Sequence, residues 1–243
     1  MPATYGLIGY PLSHSFSPAY FKNKFEKEGI DASYTAFPLP SVSDFPVLLN
    51  EHPELIGLNV TIPHKETVIP YLDVLHEDAK AVGAVNCIKI EGGKTTGYNT
   101  DITGFEKTLR PLLKPHHQQA FILGTGGASK AIAYVLDKLG IEYVKISRER
   151  KPDTLSYDSL MDEMFATHTL VINTTPLGMY PDVDSCPRIP YDVLNSDHLL
   201  YDLVYNPAET KFMRLGKQYG ATTKNGLKML ELQAEAAWQI WNS

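Results

Sequence analysis

Apolar and polar positions follow two different periods along the first half of the chain. Apolar runs or alternation typical of strands cover Tyr5–Gly9, Ser33–Phe37 and Leu55–Val60. The segments beside them predict helices from Ser17 to about Glu28, over Ser41–Leu49 and over Glu66–Leu75. Ser17 and Pro18 have the residue types of an N-cap and a first helical position, and Gly29 is typical of a helix end.

The pattern becomes more regular after about Asp101. Ala84–Tyr98 predicts a hairpin with its turn at Glu91-Gly92-Gly93, and a helix over Asp101–Leu113 follows it. Beyond this helix, strands are predicted at 119–123, 142–147, 169–173 and 199–205, and helices at 126–139, 208–219 and 227–241. Alternation of this kind predicts a parallel sheet with helices on both faces. The boundary between the two halves falls near Asp101.

Length and composition exclude several classes of protein. A chain of 243 residues forms one large domain or two modest ones, and 10% aromatic residues argue against disorder. The net charge of −6 gives no basic excess for nucleic acid, and no stretch reaches the roughly 18 apolar residues that cross a bilayer. Cys87 and Cys186 form no C-x-x-C unit, which predicts thiols in a reduced, cytoplasmic compartment. The eight histidines lack metal-ligand spacing, so no metal site is predicted.

A glycine-rich turn after the strand at 119–123 carries the first chemical signal. It reads Gly124-Thr125-Gly126-Gly127-Ala128-Ser129, between an apolar strand and a helix. Glycines let the backbone approach a pyrophosphate at the positive end of a helix. The spacing departs from G-x-G-x-x-G because Ser129 takes the place of the third glycine. The flanking strand and helix favour dinucleotide binding, and a plain strand-to-helix turn is the alternative.

The end of the next strand indicates which dinucleotide the chain prefers. An NAD site usually has Asp or Glu there for the ribose 2′-hydroxyl. This chain has Ser147 followed by Arg148, whose guanidinium suits a 2′-phosphate. The sequence therefore favours NADP. Glu149 in the same turn leaves relaxed use of NAD open, and a solvated charged loop is the structural alternative.

Three polar segments of the first half collect hydroxyls, amides and single charges, namely 9–18, 57–66 and 83–87 together with 97–101. Three serines in five residues, at a strand-to-helix turn, can bind a carboxylate or a polyol. Capping of the following helix explains the presence of Ser17, but it does not explain Ser15. A solvated side chain is the alternative for Lys65, and an N-cap is the alternative for Asp101. The candidate ligand-binding side chains are Ser15, Ser17, Asn59, Thr61, Lys65, Asn86, Asn99 and Asp101.

In their joint order, these segments resemble the shikimate dehydrogenase family over nearly the whole chain. The resemblance rests on residues 13–18, 59–65, 83–86, 99–101, 124–129, 173–179, 201–205 and 225–230 with Gln233. It implies an α/β fold of two domains around a cleft. A substrate-binding domain spans 1–101 and is rejoined by the C-terminal helix at 226–243, and a Rossmann-type dinucleotide-binding domain spans 102–225.

The resemblance also implies an activity and its residues. The activity is the reversible, NADPH-dependent reduction of 3-dehydroshikimate to shikimate in aromatic amino acid biosynthesis, by a monomer or homodimer. Lys65 and Asp101 match the catalytic acid–base pair. The positions that match substrate-binding residues are Ser15, Ser17, Asn59, Thr61, Asn86, Tyr205 and Gln233. The positions that match NADP(H)-binding residues are Gly124, Thr125, Gly126, Gly127, Ala128, Ser147, Arg148, Leu203 and Gly226.

Two features depart from the family pattern. Ser147-Arg148-Glu149 stands where the family often has Asn-Arg-Thr, and the segment after it is short, which predicts a reduced helix on the adenine side. A dehydrogenase that also oxidises quinate and accepts NAD is therefore an alternative. A non-catalytic nucleotide- or metabolite-binding protein is a second alternative, which Lys65 and Asp101 disfavour because a sensor needs no acid–base pair. We expect small-molecule partners, and neither nucleic acid nor membrane.

Overall fold

Two six-stranded sheets organise the residues that the structure, a computed structural model, describes, namely 3–13, 15–149 and 152–243. The strands are β1 (Ala3–Gly9), β2 (Ala32–Pro38), β3 (Leu55–Val60), β4 (Val74–Leu75), β5 (Cys87–Glu91), β6 (Lys94–Tyr98), β7 (Gln119–Leu123), β8 (Glu142–Ser147), β9 (Thr154–Ser156), β10 (Leu170–Asn173), β11 (Leu199–Asp202) and β12 (Thr222–Lys224). The α-helices are α1 (Phe16–Glu28), α2 (Phe45–Glu51), α3 (His64–Thr67), α4 (Glu77–Val82), α5 (Asp101–Leu109), α6 (Gly127–Leu139), α7 (Lys211–Gln218) and α8 (Leu227–Trp241). His14 of the serine segment, and Arg150 and Lys151 after the charged turn, lie outside the described residues.

The chain divides into two compact units. Unit 1 comprises Met1–Thr103 and Glu231–Ser243, and unit 2 comprises Gly104–Leu230. Within the described ranges, no helix has the length and apolar character needed to cross a membrane. The same ranges contain no group of three or more histidine, cysteine or acidic side chains that could hold a metal ion.

The sheet of unit 1 is mixed, with the strand order β2-β1-β3-β5-β6-β4. β1 pairs in parallel with β2 and β3, whereas β5 is antiparallel to both β3 and β6. The hairpin predicted between 84 and 98 is therefore confirmed as β5 and β6.

The C-terminal helix α8 completes the core of unit 1. The Trp241 indole stacks on Tyr5 with 4.9 Å between ring centroids, and its Nε1–H donates to the Ile88 carbonyl at 3.0 Å. Gly57 makes room for this ring, because a Cβ there would lie 2.5 Å from the indole. Residues from both ends of unit 1 thus share one aromatic cluster.

The sheet of unit 2 is parallel throughout, in the order β12-β11-β10-β7-β8-β9. This confirms the parallel sheet predicted for the second half. The central strands β7 and β10 are continuous apolar runs that are almost wholly buried, as expected for parallel strands covered on both faces. Because the strands are parallel, all their carboxyl ends meet at one edge of the sheet.

The start of α1 and the segment after Lys65 differ from the prediction. Ser15, rather than Ser17, is the N-cap of α1. Pro18 then lies in the first turn, where its missing N–H has no helical acceptor to lose. The helix predicted over Glu66–Leu75 is wrong, because α3 ends at Thr67 and Pro70 lies in a separate 3₁₀ turn before β4.

The crossover from β9 to β10 is also unusual for a parallel sheet. It contains two 3₁₀ segments, Tyr157–Ser159 and Asp162–Ala166, and no α-helix among its described residues. This confirms the expectation that the short segment after Glu149 carries a reduced helix. The sequence did not reveal β9 and β12, because each has only three residues.

Two turns closed by histidine precede β7 and β11. The Lys114 N–H donates to His117 Nδ1 at 3.0 Å, and the Asn195 N–H donates to His198 Nδ1 at 3.1 Å. The Nε2 atoms lie 3.0 Å from the carbonyls of Asp197 and Phe165, respectively. A ring that accepts at Nδ1 and donates at Nε2 is neutral. Burial lowers the pKa of both histidines.

We expect these turns to make unit 2 sensitive to acid. A histidine pKa that is lower in the folded protein contributes stability that is present above about 6.5 and is lost as the pH falls. In His117→Asn/His198→Asn, the side-chain oxygens can replace Nδ1 as acceptors without titrating. The Tm of this variant should fall less between pH 7.5 and pH 5 than that of the wild type. His52→Asn in unit 1 is the control, and equal pH dependence of all three proteins would contradict the prediction.

Candidate active site

An ion pair between Lys65 and Asp101 lies at the centre of a polar cluster in unit 1. Lys65 Nζ donates to Asp101 Oδ2 at 2.6 Å, and the two side chains are 19% and 8% exposed. The other carboxylate oxygen, Asp101 Oδ1, accepts from Asn86 Nδ2 at 2.9 Å. Since an ammonium has three N–H donors, Lys65 can bind a ligand oxygen while it keeps its bond to Asp101.

The backbone around both charged residues is fixed by local bonds. Lys65 follows β3 through the turn into α3, and its carbonyl accepts from the Val85 N–H at 2.7 Å. The neighbouring His64 ring is buried and lies 2.5 Å from the Leu39 carbonyl oxygen. Asp101 is the first residue of α5, where the helix dipole favours a negative charge. The pair is therefore held from two separate elements.

Asn86 orients Asp101 and joins α8 to the cluster. Its Oδ1 accepts from the Thr100 N–H at 2.7 Å, which leaves Nδ2 to face Asp101. Gln233 Oε1 on α8 lies 3.5 Å from Asn86 Nδ2 and 3.3 Å from the Thr100 hydroxyl. The structure thus brings together four predicted site residues, and it adds Thr100. The sequence contains a signal for Thr100, because it stands between the candidate residues Asn99 and Asp101.

The remaining predicted residues of unit 1 lie at the start of α1, which holds Ser15 and Ser17, and at the end of β3, which holds Asn59 and leads into Thr61. Ser15 is the N-cap of α1, but its hydroxyl makes no capping bond. Asn59 is buried, accepts from the Tyr34 hydroxyl at 2.8 Å and donates to the Asn86 carbonyl at 3.3 Å. Thr61 follows β3 and packs beside Gly9, where a side chain would collide with it. Asn59 is therefore linked to the cluster through the backbone of Asn86.

The glycine-rich turn of unit 2 connects β7 to α6. Gly124 has φ +114°, and a Cβ there would lie 2.6 Å from Thr174 Oγ1. Gly126 is the exposed N-cap of α6; as a glycine it has no side chain to cap the helix, and a Cβ on it would meet no atom within 4 Å. The first N–H groups of this 13-residue helix are thus open to an anion. These features fit the pyrophosphate of a dinucleotide.

The other predicted cofactor residues follow the carboxyl ends of neighbouring strands. Ser147 ends β8 and donates its hydroxyl to the Glu149 carbonyl, while the side chains of Arg148 and Glu149 are exposed. Leu203 follows β11, and Gly226 follows β12 and packs directly on the Leu203 backbone, where a Cβ would collide. Tyr205, which was predicted to bind the substrate, follows β11 as well; it is half-buried, and burial raises its pKa. These residues belong to the same edge of the parallel sheet as the glycine-rich turn.

The buried carboxylate of Asp202 links several segments at this edge of the sheet through hydrogen bonds. The sequence analysis did not predict it as a site residue. Asp202 Oδ1 accepts from Asn173 Nδ2 at 2.9 Å and from the Val204 N–H at 3.0 Å, and Oδ2 accepts from the Thr210 hydroxyl at 2.5 Å. Burial raises its pKa to about 6, even though all these bonds favour the charged form. The available signal was an acidic residue inside an apolar strand pattern.

Comparisons with known proteins agree with these features. Residues 7–88 match a family model described as the shikimate dehydrogenase substrate binding domain. A shikimate dehydrogenase (NADP(+)) from Methanococcus maripaludis strain C6 is 39% identical over 97% of this chain and 90% of that protein. Another from Caldanaerobacter subterraneus subsp. tengcongensis is 37% identical over 98% of this chain and 90% of that protein. The crystal structure of shikimate 5-dehydrogenase from Thermus thermophilus, in complex with NADP(H) and shikimate, matches with a TM-score of 0.86 and 30% identity, over 98% of this chain and 92% of that chain.

We expect the ionisation of Asp202 to destabilise unit 2. Its raised pKa means that the carboxyl contributes stability below pH 3.8, and that this stability is lost as the pH rises through about 6. The difference between the two pKa values corresponds to about 3 kcal/mol. In Asp202→Asn, Oδ1 can keep both N–H donors and Nδ2 can donate to Thr210.

Denaturant unfolding at pH 4.5 and pH 8 tests this expectation. The free energy of unfolding of Asp202→Asn minus that of the wild type should be about 2 kcal/mol larger at pH 8 than at pH 4.5, because only the wild type loses stability as the pH rises. The exposed Asp192→Asn serves as control, and a difference between Asp202→Asn and wild type that does not change with pH would refute the expectation.

Proposed function

The chain belongs to the shikimate dehydrogenase family, and we propose that Lys65 and Asp101 perform the acid–base chemistry of its reaction. That reaction is the reversible, NADPH-dependent reduction of 3-dehydroshikimate to shikimate, a step in aromatic amino acid biosynthesis. The observation that carries the proposal is the 2.6 Å ion pair, whose carboxylate is also held by Asn86. A pair anchored on both sides keeps a proton donor at a fixed position.

NADPH supplies the hydride for the ring ketone when it is bound. The protein then has to neutralise the negative charge that develops on the ketone oxygen. We propose that Lys65 Nζ binds this oxygen and donates the proton, since an ammonium is both a donor and a positive charge. Asp101 accepts a hydrogen bond from Nζ and thereby fixes its direction.

The substrate is an acid that also carries ring hydroxyls, and the polar residues of unit 1 suit both. We propose that Ser15, Ser17 and Thr61 bind through their hydroxyls, together with Asn59 and the half-buried Tyr205. The amides of Asn86 and Gln233 bind ring hydroxyls next to the acid–base pair. Ser15 supports this assignment, because its hydroxyl occupies a cap position without making a capping bond.

The cofactor site lies in the second domain. We propose that Gly124, Thr125, Gly126, Gly127 and Ala128 hold the pyrophosphate at the N-terminus of α6. Ser147 and Arg148 bind the adenine ribose and its 2′-phosphate. Leu203 and Gly226 contact other parts of the NADP(H) molecule.

We further propose that residues 1–101 and 226–243 form the substrate domain and that 102–225 form the NADP domain, a division that the two compact units support. The proposed assembly is a monomer or homodimer in the cytoplasm, with two thiols that need no oxidising compartment.

Lys65→Ala tests the acid–base assignment. Loss of the ammonium should lower kcat by about 100-fold or more, with a modest change of KM, because the interaction is made mainly in the transition state. Initial rates with shikimate and NADP⁺ are the measurement, and the exposed Lys22→Ala is the control. An unchanged kcat would remove Lys65 from the chemistry.

Arg148→Ala tests the choice of cofactor. The ratio of kcat/KM with NADP⁺ to that with NAD⁺ should fall roughly tenfold or more, because the guanidinium pairs with the 2′-phosphate. Arg214→Ala, on an exposed site of unit 2, should leave the ratio unchanged. If Arg148→Ala keeps the wild-type ratio, the phosphate contact is wrong. The same assays with quinate and NAD⁺ test the alternative of a broader dehydrogenase, for which Glu149 beside Arg148 is the sequence feature.

A further inference from the structure

His64 is the first residue of α3 and immediately precedes Lys65, the proposed proton donor. Its imidazole is buried, with 3% of the residue exposed, and Nε2 lies 2.5 Å from the Leu39 carbonyl oxygen. A carbonyl only accepts, so Nε2 carries a proton and donates it to Leu39. The ring therefore connects the turn after β3 to the loop after β2.

The turn that carries Lys65 depends on contacts with more distant parts of unit 1. α3 has only four residues, and Pro63 at its N-cap position makes no side-chain cap. A single helical turn forms too few hydrogen bonds of its own to fix its backbone. The Lys65 carbonyl accepts from the Val85 N–H at 2.7 Å, which holds one point of the turn. The bond from the His64 ring to Leu39 holds a second point.

Leu39 is itself held in place, so it can serve as an anchor for the ring. Its buried side chain belongs to the same apolar core cluster as Val60 and Val68. Its N–H donates to the carbonyl of Gly9, the last residue of β1, at 2.9 Å. The position of His64 is therefore set relative to the carboxyl end of the central strands of the sheet.

We propose that His64 is a positioning residue, which sets the place of Lys65 Nζ through its bond to Leu39. This inference rests on the proposed function, in which Nζ donates a proton to the ketone oxygen while it bonds Asp101 at 2.6 Å. A shift of about 1 Å in a reacting group can cost on the order of 100-fold in rate, so the donor needs a turn that stays in place. His64 acts through its neighbour and not by contact with the substrate.

The effect should fall on the chemical step rather than on substrate binding. Among the proposed substrate-binding residues, Asn86 is fixed by the Thr100 N–H at 2.7 Å. The Ser15 N–H donates to the Leu12 carbonyl at 3.1 Å. Neither contact involves His64, and the proposed cofactor residues belong to unit 2. Replacement of the imidazole should therefore leave both ligands bound and change the position of the ammonium nitrogen.

His64→Gln and His64→Met form a matched pair of variants. The amide nitrogen of glutamine stands as many bonds from Cα as Nε2 of histidine and can donate to Leu39, whereas methionine has a similar length and no donor. With shikimate and NADP⁺, kcat per folded protein should fall roughly tenfold or more in His64→Met and less than about threefold in His64→Gln. Both KM values should change less than about threefold in either variant.

His198→Met is the control, because His198 is also buried and its Nε2 lies 3.0 Å from a backbone carbonyl, that of Phe165, in unit 2. It should lower the Tm and leave kcat per folded protein unchanged. A wild-type kcat in His64→Met, or the same loss in both His64 variants, would overturn the inference. If His64→Met does not fold, His64→Asn replaces it with the same expected loss, because the shorter amide cannot reach Leu39.

A double-mutant cycle with Lys65→Ala tests whether His64 acts through its neighbour. If it does, His64→Met should lower the residual rate of Lys65→Ala by less than about twofold. An equal loss in the wild-type and Lys65→Ala backgrounds would contradict the inference. Wild-type protein that fails to oxidise shikimate would overturn the proposed function itself. Normal wild-type rates, with an impaired Lys65→Ala and a fully active His64→Met, would overturn the role of His64 alone.

Discussion

A partly buried ion pair depends on further hydrogen bonds to its members, and Asn86 supplies one to the Asp101 carboxylate of the Lys65–Asp101 pair. The amide of Asn86 is itself fixed by the Thr100 backbone, and its carbonyl is fixed by Val60. Asn86 immediately precedes β5 and Thr100 closely follows β6, so the open end of this hairpin brings the two residues together. Unit 1 is thus organised around polar satisfaction at its site as much as around its apolar core.

The two sheets have the same number of strands but differ in the groups that they present at their sites. The mixed sheet of unit 1 brings side chains from distant segments into one cluster. Lys65, Asn86 and Asp101 are held there by hydrogen bonds from side chains. The parallel sheet of unit 2 exposes backbone instead, with glycines at the turn before α6 and at the contact with Leu203. A small acid with several hydroxyls needs side-chain donors and acceptors, whereas a pyrophosphate needs backbone N–H groups and space.

Much of this arrangement could be predicted from the sequence, and the failures have physical causes. Continuous apolar runs separated by helical periods identified the parallel sheet, and Gly29 marked the end of α1. The segment 66–75 kept an apolar pattern that Pro70 interrupts, so periodicity alone misled. Site residues were recognised by residue type within motifs, but their partners were not. Tyr34 looks like an ordinary strand residue, and the sequence does not reveal that Asp202 faces Asn173, because strand register is a non-local property.

The contact between Trp241 and Gly57 has a consequence for the order in which the chain folds during translation. The first hundred or so residues emerge from the ribosome early, yet their aromatic cluster stays incomplete until α8 has been synthesised. Unit 2 is continuous in sequence and can close its sheet while unit 1 still exposes Tyr5 and Phe21 to solvent. The nascent unit 1 must therefore persist with an unfinished core for the whole time that unit 2 is being made.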